Sequence, residues 1–586
     1  MKLTQIVTRY PLPLTSNTSS HHLIIIAFCF LLSALCLSTT AVYGQSPNCY
    51  RITFSDKNNT PYSVEHPEEF LSPRAIAKRE RFNIPIIEQD LPINPQYIDA
   101  ILNFSTEPSQ VISKSKWDNS VVVFYPETEN CHTIITEMIN NLSFVKDTLP
   151  VAYYQLPIRA EVLIHKENPA LNQISNSILS SFCDYDYGNS IDHLHLHNGE
   201  YLHKAGFCGD NMLICALDVG WDGFDSISYF QHLFQNGQLL GTRDLIPGIN
   251  NIFVGHYHGT GVTSEIVSNI EGKLVGTAPK ADYYFIRSDD PWHEQLVEED
   301  FWAYAAEIAD SLGTDVLSSS VGYIYFDYEW QNIYTQENNN GMASIASRAA
   351  SILTQKGVIV VQGAGNEGVT SWRYILRPAD AFNILAVGAV RTNGVIVPNS
   401  SYGPSADGRV KPDVASVGWN NWVINPNGHI IGGNTGWMGT SCATPIISGL
   451  AACLWQALPQ YSSLEIMNLI RQYGDMANNP DDRTGYGIPD FYQCYLDHHI
   501  GVREHTSSEI LVYPNPTCGQ LRITNYELRI LGVEVYDVFG RMQNAECRKQ
   551  KAGGEVVVDI SPLPTGVYFV RIFTEKGMVN KKVIKY

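Results

Sequence analysis

The chain has 586 residues, more than one compact core organises, and this length predicts two to four domains. Its 59 acidic and 39 basic side chains give a formal net charge of -20, and because no basic run offsets this balance we expect no nucleic-acid partner. The charged fraction of 17% and the 32 tyrosines are typical of a packed globular protein rather than a disordered one.

Residues 1–44 are predicted to be a secretory signal peptide. Lys2 and Arg9 precede the apolar stretch LIIIAFCFLLSALCL, and small residues follow, with Val42 and Gly44 suitably placed before a cleavage after Gly44. A membrane anchor is the alternative, but the stretch is shorter than the roughly 20 apolar residues that a spanning helix needs. We therefore expect an exported chain without a transmembrane anchor in its mature form.

Residues 45–180 mix short apolar runs, such as SVVVFY, with the charged helical stretch SPRAIAKRERF, and are predicted to form a small α+β region. From about residue 205, apolar strands alternate with helical segments. The predicted strands are MLICALD (212–218), DVLSSSVG (315–322), GVIVVQGAGN (357–366) and FNILAVGAV (382–390). Continuous apolar strands separated by helices predict a parallel sheet sandwiched by helices, whose ligands gather at the carboxyl ends of the strands.

The C-terminal end is predicted to be a separate small domain. Residues 499–510 form a polar linker, and residues 511–586 show strand-like runs punctuated by Pro, Asn and Gly. This pattern predicts a small β-sandwich.

Ten of the twelve cysteines follow the predicted signal peptide, and an exported chain could oxidise some of them. Cys215 and Cys453 lie in apolar runs, which favours buried free thiols. The connectivity of any disulfides stays open. The pairs that could close a loop within one terminal region are Cys49–Cys131 and Cys518–Cys547.

The stretch GTSCATPIISG sets the hydroxyl of Ser441 beside the thiol of Cys442, ahead of an apolar run at helical spacing. Pro445 is compatible with a helix here because the amides of a first turn are unpaired anyway. Those amides and the positive end of the helix dipole could stabilise an oxyanion held near the serine. The alternative is an ordinary N-cap serine. The apolar positions of the predicted helix are Ile446, Ile447, Leu450 and Leu454.

A serine nucleophile needs a base, and GHYHGTGVTSEIVSNI offers His256 and His258. A helix is predicted just after His258, with Val262, Ile266 and Ile270 on one face, so this histidine stands at a helix start and can project towards a site. The two histidines could instead bind a metal ion, although no third ligand lies nearby.

Two further polar residues follow predicted strands. Asp218 ends MLICALD before a glycine, where a carboxylate needs a partner and could fix the tautomer of a base. A turn or capping role is the alternative for Asp218, and Asp222 and Asp225 fit that role better. Asn366 lies in GAGNEG, where its amide could donate to an oxyanion, although a Gly-Asn pair more often marks a turn.

Asp218, His258 and Ser441 follow the chain order of the subtilisin triad. The stretches LDVG, HGTGV, GAGNEG and GTSCATP resemble the subtilisin-like (subtilase, S8) serine peptidases, whose signatures are D-x-G, H-G-T-x-V and G-T-S-x-A-x-P. The resemblance covers about residues 187–495 and implies a peptidase domain at 187–498. It also implies that Ser441 is the nucleophile, His258 the base and Asp218 the orienting carboxylate.

The same resemblance implies that Asn366 and the backbone N–H of Ser441 form the oxyanion hole, and that Cys442 serves packing. SSSVG resembles the substrate-binding strand of the family, with Val321 in place of Leu, and would pair with an extended peptide. Many subtilases bind calcium, but this chain has no recognisable ligand loop, so no metal or other cofactor is assigned. The predicted substrate-binding residues, small and uncharged, are Ser320, Val321, Gly322, Gly363, Ala364 and Gly365.

The C-terminal run YPNPTCGQLRI…VYDVFGR…ISPLPTGVYFVRI…KKVIKY resembles the sorting domain of proteins exported by the Bacteroidetes type IX (Por) secretion system. This resemblance implies export through the periplasm, the type IX machinery as a partner, and a secreted or cell-surface location. Residues 45–180 stand where subtilases carry a propeptide.

The stretch DHLHLHNGEYLH places His193, His195 and His197 on one face of a predicted strand, which is either a metal site or a solvated edge. The segment has no metal role in the resembling family.

The sequence as a whole predicts a secreted serine endopeptidase acting on peptides or proteins. The alternatives are a binding protein that keeps the scaffold without catalysis, and an enzyme restricted to maturing one partner. Substrate preference, the propeptide cleavage site, the oligomeric state, and release as against surface attachment stay open.

Overall fold

The structure is a computed structural model that describes residues 46–586 with gaps, so the predicted signal peptide and most of the predicted linker lie outside the described residues. The chain divides into two compact units, Met1–Tyr495 and Leu496–Tyr586. The gaps are 127–129, 155–182, 249, 434–436, 500–509, 526–529, 538–540, 544–545, 550–555 and 575–576.

The N-terminal region confirms the predicted α+β class. An antiparallel sheet has the order β2-β3-β1-β4. All five residues of β3 are buried, because its alternate side chains enter two different cores. Val121 and Val123 pack with helices of this region, whereas Val122 and Phe124 belong to a core shared with the next region. The elements are β1 (Cys49–Phe54), α1 (Pro73–Arg81), α2 (Pro95–Leu102), β2 (Gln110–Ser115), β3 (Ser120–Phe124), α3 (Cys131–Asn141) and β4 (Val145–Ala152).

The predicted parallel sheet is present and has seven strands in the order β13-β12-β11-β10-β5-β9-β6. Every neighbouring pair is parallel, so the carboxyl ends of all seven strands lie at one edge. The strands are β5 (Leu213–Asp218), β6 (Leu239–Asp244), β9 (Asp282–Arg287), β10 (Val316–Ser319), β11 (Ile359–Gly363), β12 (Leu385–Val390) and β13 (Val414–Val417). Two small hairpins add β7 (Asn269–Ile270), β8 (Leu274–Val275), β14 (Val423–Ile424) and β15 (Ile430–Ile431).

Helices flank this sheet. The long, almost wholly buried helix α10 packs against β10 to β13, and α8 and α9 pack on each other and receive the N-terminal sheet. The helices are α4 (Ile191–His195), α5 (Gly199–Lys204), α6 (Gln231–Gln235), α7 (His258–Val267), α8 (Glu298–Leu312), α9 (Ile345–Gln355), α10 (Thr440–Ala457), α11 (Ser463–Gln472) and α12 (Phe491–His498).

Three local predictions were wrong. The helix at His258 ends at Val267, so Ile270 lies in β7 instead of on the helix face. His193 and His195 belong to the short helix α4 rather than to a strand. Pro445 is the sixth residue of α10, beyond the first turn, so its missing N–H leaves the carbonyl of Ser441 without its helical partner.

The C-terminal unit is rich in strands, as a β-sandwich requires. Its described strands form two four-stranded antiparallel sheets, β16-β17-β21-β20 and β19-β18-β22-β23, which share one core of apolar side chains. The strands are β16 (Ile510–Tyr513), β17 (Gln520–Asn525), β18 (Ile530–Asp537), β19 (Met542–Gln543), β20 (Glu546–Lys549), β21 (Val556–Asp559), β22 (Gly566–Thr574) and β23 (Gly577–Lys585).

The buried free thiols predicted for Cys215 and Cys453 are confirmed. Cys49, Cys131 and Cys518 form no disulfide in the described residues, so neither suggested loop-closing bond is present. None of the helices in the described ranges combines the length and the apolar character that crossing a membrane requires.

Candidate active site

Asp218 is the last residue of the buried strand β5 and is only 1% exposed. Its Oδ1 accepts a hydrogen bond from the backbone N–H of Val219 at 2.8 Å, and both carboxylate oxygens lie close to Nδ1 of His258, at 2.8 and 3.0 Å. A buried carboxylate needs such partners to stay charged. The bonds orient the imidazole and assign its Nδ1 proton to the Asp218 side, which leaves Nε2 free to accept a proton.

His258 is the first residue of α7, and two glycines let this helix approach its neighbours closely. A Cβ at Gly259 would lie 2.6 Å from the carbonyl oxygen of Gly220, and one at Gly261 would lie 2.1 Å from the ring of Trp437. Burial lowers the pKa of His258, but the charge and hydrogen bond of Asp218 outweigh it, so the pKa is raised above its ordinary value. A raised pKa makes the imidazole a stronger base.

Ser441 is the second residue of α10, two residues after the positive-φ residue Gly439 (φ 127°) that caps the helix. The N-cap alternative for Ser441 is therefore wrong. Its hydroxyl donates to the carbonyl oxygen of Ser320 at 3.3 Å, and in the described part of the chain it makes no hydrogen bond to His258. Its own carbonyl, left without a helical partner by Pro445, accepts from the hydroxyl of Ser320 at 3.1 Å.

Asn366 follows β11 and is tied to the start of the same helix. Its Oδ1 accepts from the backbone N–H of Thr440 at 3.0 Å and from the Thr440 hydroxyl at 3.4 Å. The side-chain oxygen is thus fixed, and no described residue accepts from Nδ2, which is left as a free donor beside the helix start. The backbone N–H of Ser441 likewise has no acceptor among the described residues.

The six predicted substrate-binding residues lie at the carboxyl ends of β10 and β11. Gly363 ends β11, whereas Ser320 to Gly322 follow β10 outside the sheet. Gly322 makes no backbone hydrogen bond to any described residue. The carbonyl of Val321 accepts a hydrogen bond from the side-chain amide of Gln362 at 2.5 Å, which fixes this residue. Gly322 is thus left with unpaired backbone groups, two residues after Ser320, which contacts Ser441.

Sequence reasoning missed Trp437 and missed a second contact of Ser320. The ring of Trp437 lies 6.3 Å from that of His258 at an interplanar angle of 26°, and so covers the imidazole. Ser320 was predicted to bind substrate, yet it also exchanges hydrogen bonds with Ser441 in both directions. The position of Trp437, four residues before Ser441, was the available signal, because a residue just ahead of a helix N-terminus lies near its first turn.

The alternative roles find less support in the geometry. Cys442 is buried, and burial together with the charge of Glu265 raises the pKa of its thiol well above the ordinary value, so it is not a ready nucleophile. Nδ1 of His256 accepts from the backbone N–H of His258 at 3.3 Å. Across the described ranges, no three His, Cys, Asp or Glu side chains come together in a way that could hold a metal ion.

The histidines of DHLHLHNGEYLH are divided between different contacts. His197 is buried, and its two ring nitrogens hydrogen-bond with the carbonyl of Pro489 and the hydroxyl of Ser416. His195 contacts Glu200 at 2.7 Å with its ring mostly exposed. His193 is buried, and its Nε2 accepts from the backbone N–H of Trp422. The three rings therefore do not face a common point on one strand.

Three family models match the chain. Residues 49–166 match the Peptidase S8 propeptide domain of Bacteroidota, residues 250–487 match the Subtilase family (Peptidase S8), and residues 511–586 match the secretion system C-terminal sorting domain. The subtilase match begins after Asp218, which therefore lies outside the matched residues.

Curated relatives agree with the central match. Subtilisin Savinase of Lederbergia lenta is 26% identical over 282 residues, covering 46% of this chain and 85% of Savinase. Alkaline elastase YaB of Bacillus sp. (strain YaB) is 28% identical over 285 residues, covering 48% of this chain and 64% of the elastase. The alignment with M-protease of Shouchella clausii (strain KSM-K16) spans 60% of that protein's length, at 26% identity over 46% of this chain. MycP1 from Mycobacterium smegmatis is a similar solved structure, with 21% identity, a TM-score of 0.39, and coverage of 55% of this chain and 86% of that chain.

Three segments of the chain therefore match known family models. Along the chain they are an S8 propeptide domain, a subtilase-family peptidase domain and a secretion sorting domain. The sorting-domain match indicates secretion or export to the cell surface.

Proposed function

We propose that this protein is an exported serine endopeptidase that cleaves peptide bonds through Asp218, His258 and Ser441. The observation that carries the proposal is the 2.8 Å hydrogen bond from His258 Nδ1 to Asp218, made beside the helix start that holds Ser441. An oriented histidine with a free Nε2 next to a serine at a helix N-terminus is the arrangement that nucleophilic catalysis of acyl transfer requires.

In the proposed reaction the Ser441 hydroxyl gives up its 3.3 Å bond to Ser320 and donates to His258 Nε2 when substrate binds. Ser441 Oγ then attacks the scissile carbonyl as His258 takes the proton. His258 returns that proton to the leaving amine, and an acyl-enzyme remains. Water then attacks the acyl carbonyl as His258 takes a proton from it, and His258 returns this proton to Ser441 as the acyl bond breaks. Asp218 stabilises the imidazolium formed on the way, which agrees with the raised pKa of His258.

The oxyanion of the tetrahedral intermediate would be held by two donors. These are the side-chain amide of Asn366, whose oxygen is fixed by Thr440, and the backbone N–H of Ser441. The 18-residue helix α10 directs its positive dipole end at the same point.

Substrate would bind as an extended chain against the unpaired backbone near Gly322. The side chain before the cut would face Ser320 to Gly322 and Gly363 to Gly365, which carry no charge. Since a wall of small uncharged residues offers a substrate cation no counter-charge, we infer a preference for apolar or aromatic residues at this position.

The remaining regions support an exported precursor. We propose that residues 1–44 are a signal peptide, 45–180 a propeptide, 187–498 the peptidase domain, 499–510 a linker and 511–586 the sorting domain read by the type IX machinery. The reaction proposed here uses only groups of this chain and needs no cofactor.

A comparison of wild type, Ser441→Ala and Cys442→Ala tests the function. All three are produced as exported protein, and denatured casein hydrolysis and labelling by a fluorophosphonate probe are measured. We expect hydrolysis and labelling in wild type and Cys442→Ala, and neither in Ser441→Ala, because only Ser441 carries the reactive hydroxyl.

Wild type that neither labels nor digests casein would point to an inactive scaffold and overturn the proposal. Labelling without casein hydrolysis would instead restrict the enzyme to a narrow substrate.

A further inference from the structure

Two cysteines, Cys183 and Cys208, lie side by side at the start of the region that contains the seven-stranded sheet. Cys183 is the first described residue after the 155–182 gap, and Cys208 lies in the turn between α5 and β5. Both are buried, at 3% and 0% exposure. The thiol of Cys208 donates to the carbonyl of His203 at 3.9 Å, and the ring of Tyr185, two residues after Cys183, packs edge-on against the His203 ring with the centroids 6.1 Å apart. This arrangement brings the two sulfurs, both reduced here, within hydrogen-bonding reach of each other. Two sulfurs in hydrogen-bond contact need only a small movement to reach bonding distance.

The backbone around both residues is anchored. The carbonyl of Cys208 accepts from the N–H of Lys280 at 3.1 Å, and the next amide, that of Gly209, donates to the side chain of Gln456 at 2.8 Å. Downstream of Cys183, the carbonyl of Asp186 accepts from the N–H of Gly272 at 2.7 Å. The two sulfurs thus meet between segments that the rest of the domain already holds in place.

The surroundings of Cys183 also favour reaction at its sulfur. The hydrogen bond from Cys208 works against burial and, together with a hydrogen bond and charge from Lys280, lowers the pKa of Cys183 to about 6. Donating that bond raises the pKa of Cys208. A lowered pKa favours the thiolate form of Cys183, which is the form that attacks in thiol–disulfide exchange.

The other buried thiols differ from this pair. Burial raises the pKa values of Cys215, Cys442 and Cys453, which keeps them as unreactive thiols. Cys453 lies nearby, but its sulfur donates to the carbonyl of Thr277 at 3.3 Å instead.

We propose that Cys183 and Cys208 form a disulfide in the exported protein, and that this bond fastens the start of the peptidase domain to its body. An exported chain enters an oxidising environment in which such bonds persist. The fastening role rests on the proposed removal of the propeptide, which would make the segment ahead of Asp186 a chain end. The bond itself does not depend on that removal.

The oxidant is the disulfide of a small molecule or of a thiol–disulfide oxidoreductase. The Cys183 thiolate attacks one sulfur of this disulfide, which breaks and releases a thiol. Cys208 loses its proton and attacks the mixed disulfide, which releases the second thiol and leaves the Cys183–Cys208 bond. The protein loses two protons and two electrons, and the oxidant is reduced to two thiols.

The first experiment maps the bond in exported wild-type protein. The protein is collected into N-ethylmaleimide, digested without reductant and analysed by mass spectrometry. We expect a peptide pair joined through Cys183 and Cys208, two hydrogens lighter than the free peptides and separated by a phosphine reductant. Alkylation of both cysteines, or a link from either one to Cys453, would overturn the proposal.

The second experiment measures thermal unfolding of wild type, Cys183→Ser, Cys208→Ser and the control Cys453→Ala, all with and without reductant. We expect both serine variants to unfold about 5 °C below oxidised wild type, because a loop of this length loses its closure constraint. Reductant should lower the unfolding temperatures of wild type and Cys453→Ala by the same amount and leave those of the two serine variants unchanged. A wild type insensitive to reductant contradicts the bond.

Casein hydrolysis at 25 °C is recorded alongside these measurements. Because the disulfide lies outside the catalytic groups, we expect the serine variants to keep wild-type activity at this temperature. Failure of the disulfide and failure of the proposed function are therefore read separately, the first by mass spectrometry and unfolding and the second by the Ser441→Ala comparison.

Discussion

Two regions of the peptidase domain, the candidate active site and the surface of α8 and α9, differ in how their charged side chains are paired. At the carboxyl ends of the strands, the candidate active site holds the pair His258–Asp218 near the uncharged segments Ser320 to Gly322 and Gly363 to Gly365. On α8 and α9, where the N-terminal region packs, buried charges dominate. The pairs there are Arg51–Asp300 at 2.6 Å, Arg79–Asp310 at 2.8 Å, Lys116–Asp310 at 3.1 Å, Lys356–Asp90 at 2.8 Å and Arg348–Asp118 at 2.7 Å.

Both regions contain a buried carboxylate, but the partners of the two carboxylates differ. Asp218 is satisfied by one histidine that must change its charge during the proposed reaction. Asp310 is satisfied by two permanent cations, Arg79 and Lys116, which belong to the N-terminal region. Glu307, on the same helix, accepts from the backbone N–H groups of Lys116 and Trp117 at 2.8 and 3.0 Å.

The difference teaches that a buried charge can have two uses. In the proposed reaction the charge of Asp218 would serve chemistry, whereas the buried charges on α8 bind the N-terminal region. A buried ion pair is costly to break, since removing one partner leaves the other unpaired in a poorly solvated site. Breaking these ion pairs one at a time is therefore costly, so we expect the N-terminal region to dissociate in one step. In a propeptide, as proposed for this region, such an arrangement would favour separation by proteolysis over gradual loosening.

The largest effect is expected from Asp218→Asn. The neutral amide cannot stabilise the imidazolium and can impose the wrong tautomer on His258, so kcat should fall by about 10⁴-fold. Because Asp218 raises the pKa of His258, its removal lowers that pKa, and the acid limb of the remaining activity should move to lower pH. The pH dependence of kcat/KM on a peptide substrate measures both effects. An unmoved acid limb would show that the limb belongs to another group.

The next effect is expected from Asn366→Ala. Loss of one oxyanion donor should lower kcat by about 10²–10³-fold with little change in KM, because the donor acts on the charge formed in the transition state. Steady-state kinetics on the same peptide measures this separation. A rise in KM at constant kcat would instead mean that Asn366 binds the ground state of the substrate.

Asp310→Asn is the matched change in the other region. It removes the carboxylate that pairs with Lys116 and leaves Arg79 with Asp90 alone, and should cost about 3 kcal/mol of unfolding free energy. Urea unfolding of the full chain in a Ser441→Ala background measures it without self-cleavage. Asp218→Asn in the same background serves as the control, and we expect it to change stability less than Asp310→Asn does. Equal losses would remove the contrast between the regions.

The smallest effect is expected from Arg348→Ala. This arginine pairs with Asp118, but the two side chains are 28% and 22% exposed, so solvent screens the pair. We expect a loss of at most about 1 kcal/mol in the same urea experiment. A loss as large as that of Asp310→Asn would show that exposure does not separate these ion pairs.

Much of the fold was predictable from sequence. The continuous apolar strands matched the parallel sheet, because strands buried on both faces are apolar along their whole length. The strand-like runs punctuated by Pro, Asn and Gly in the last 76 residues matched the C-terminal sheets, because such residues mark the turns between strands. Two of the three errors fell at element ends, and the third predicted a strand where the short helix α4 lies. Ile270 and Pro445 were misplaced because helix boundaries depend on capping and on tertiary contacts more than on apolar spacing.

The candidate site was predicted one residue at a time. Asp218, His258, Asn366 and Ser441 each stand at the end of a strand or the start of a helix, which short motifs reveal. The family resemblance implied the pairing of His258 with Asp218, and the structure places the two side chains 2.8 Å apart. The pairing of Asn366 with Thr440 is new information from the structure. The catalytic roles stay predictions that the variants above examine.

The sequence by itself determined which segments are strands and helices and which polar residues end them, because periodicity, capping and turn chemistry act between near neighbours in the chain. Only the tertiary structure decided which of those residues meet. Arg79 with Asp310, Trp437 with His258, and Cys183 with Cys208 come from segments far apart in sequence. No local pattern encodes such contacts, since the packing of whole elements around a common core brings them together.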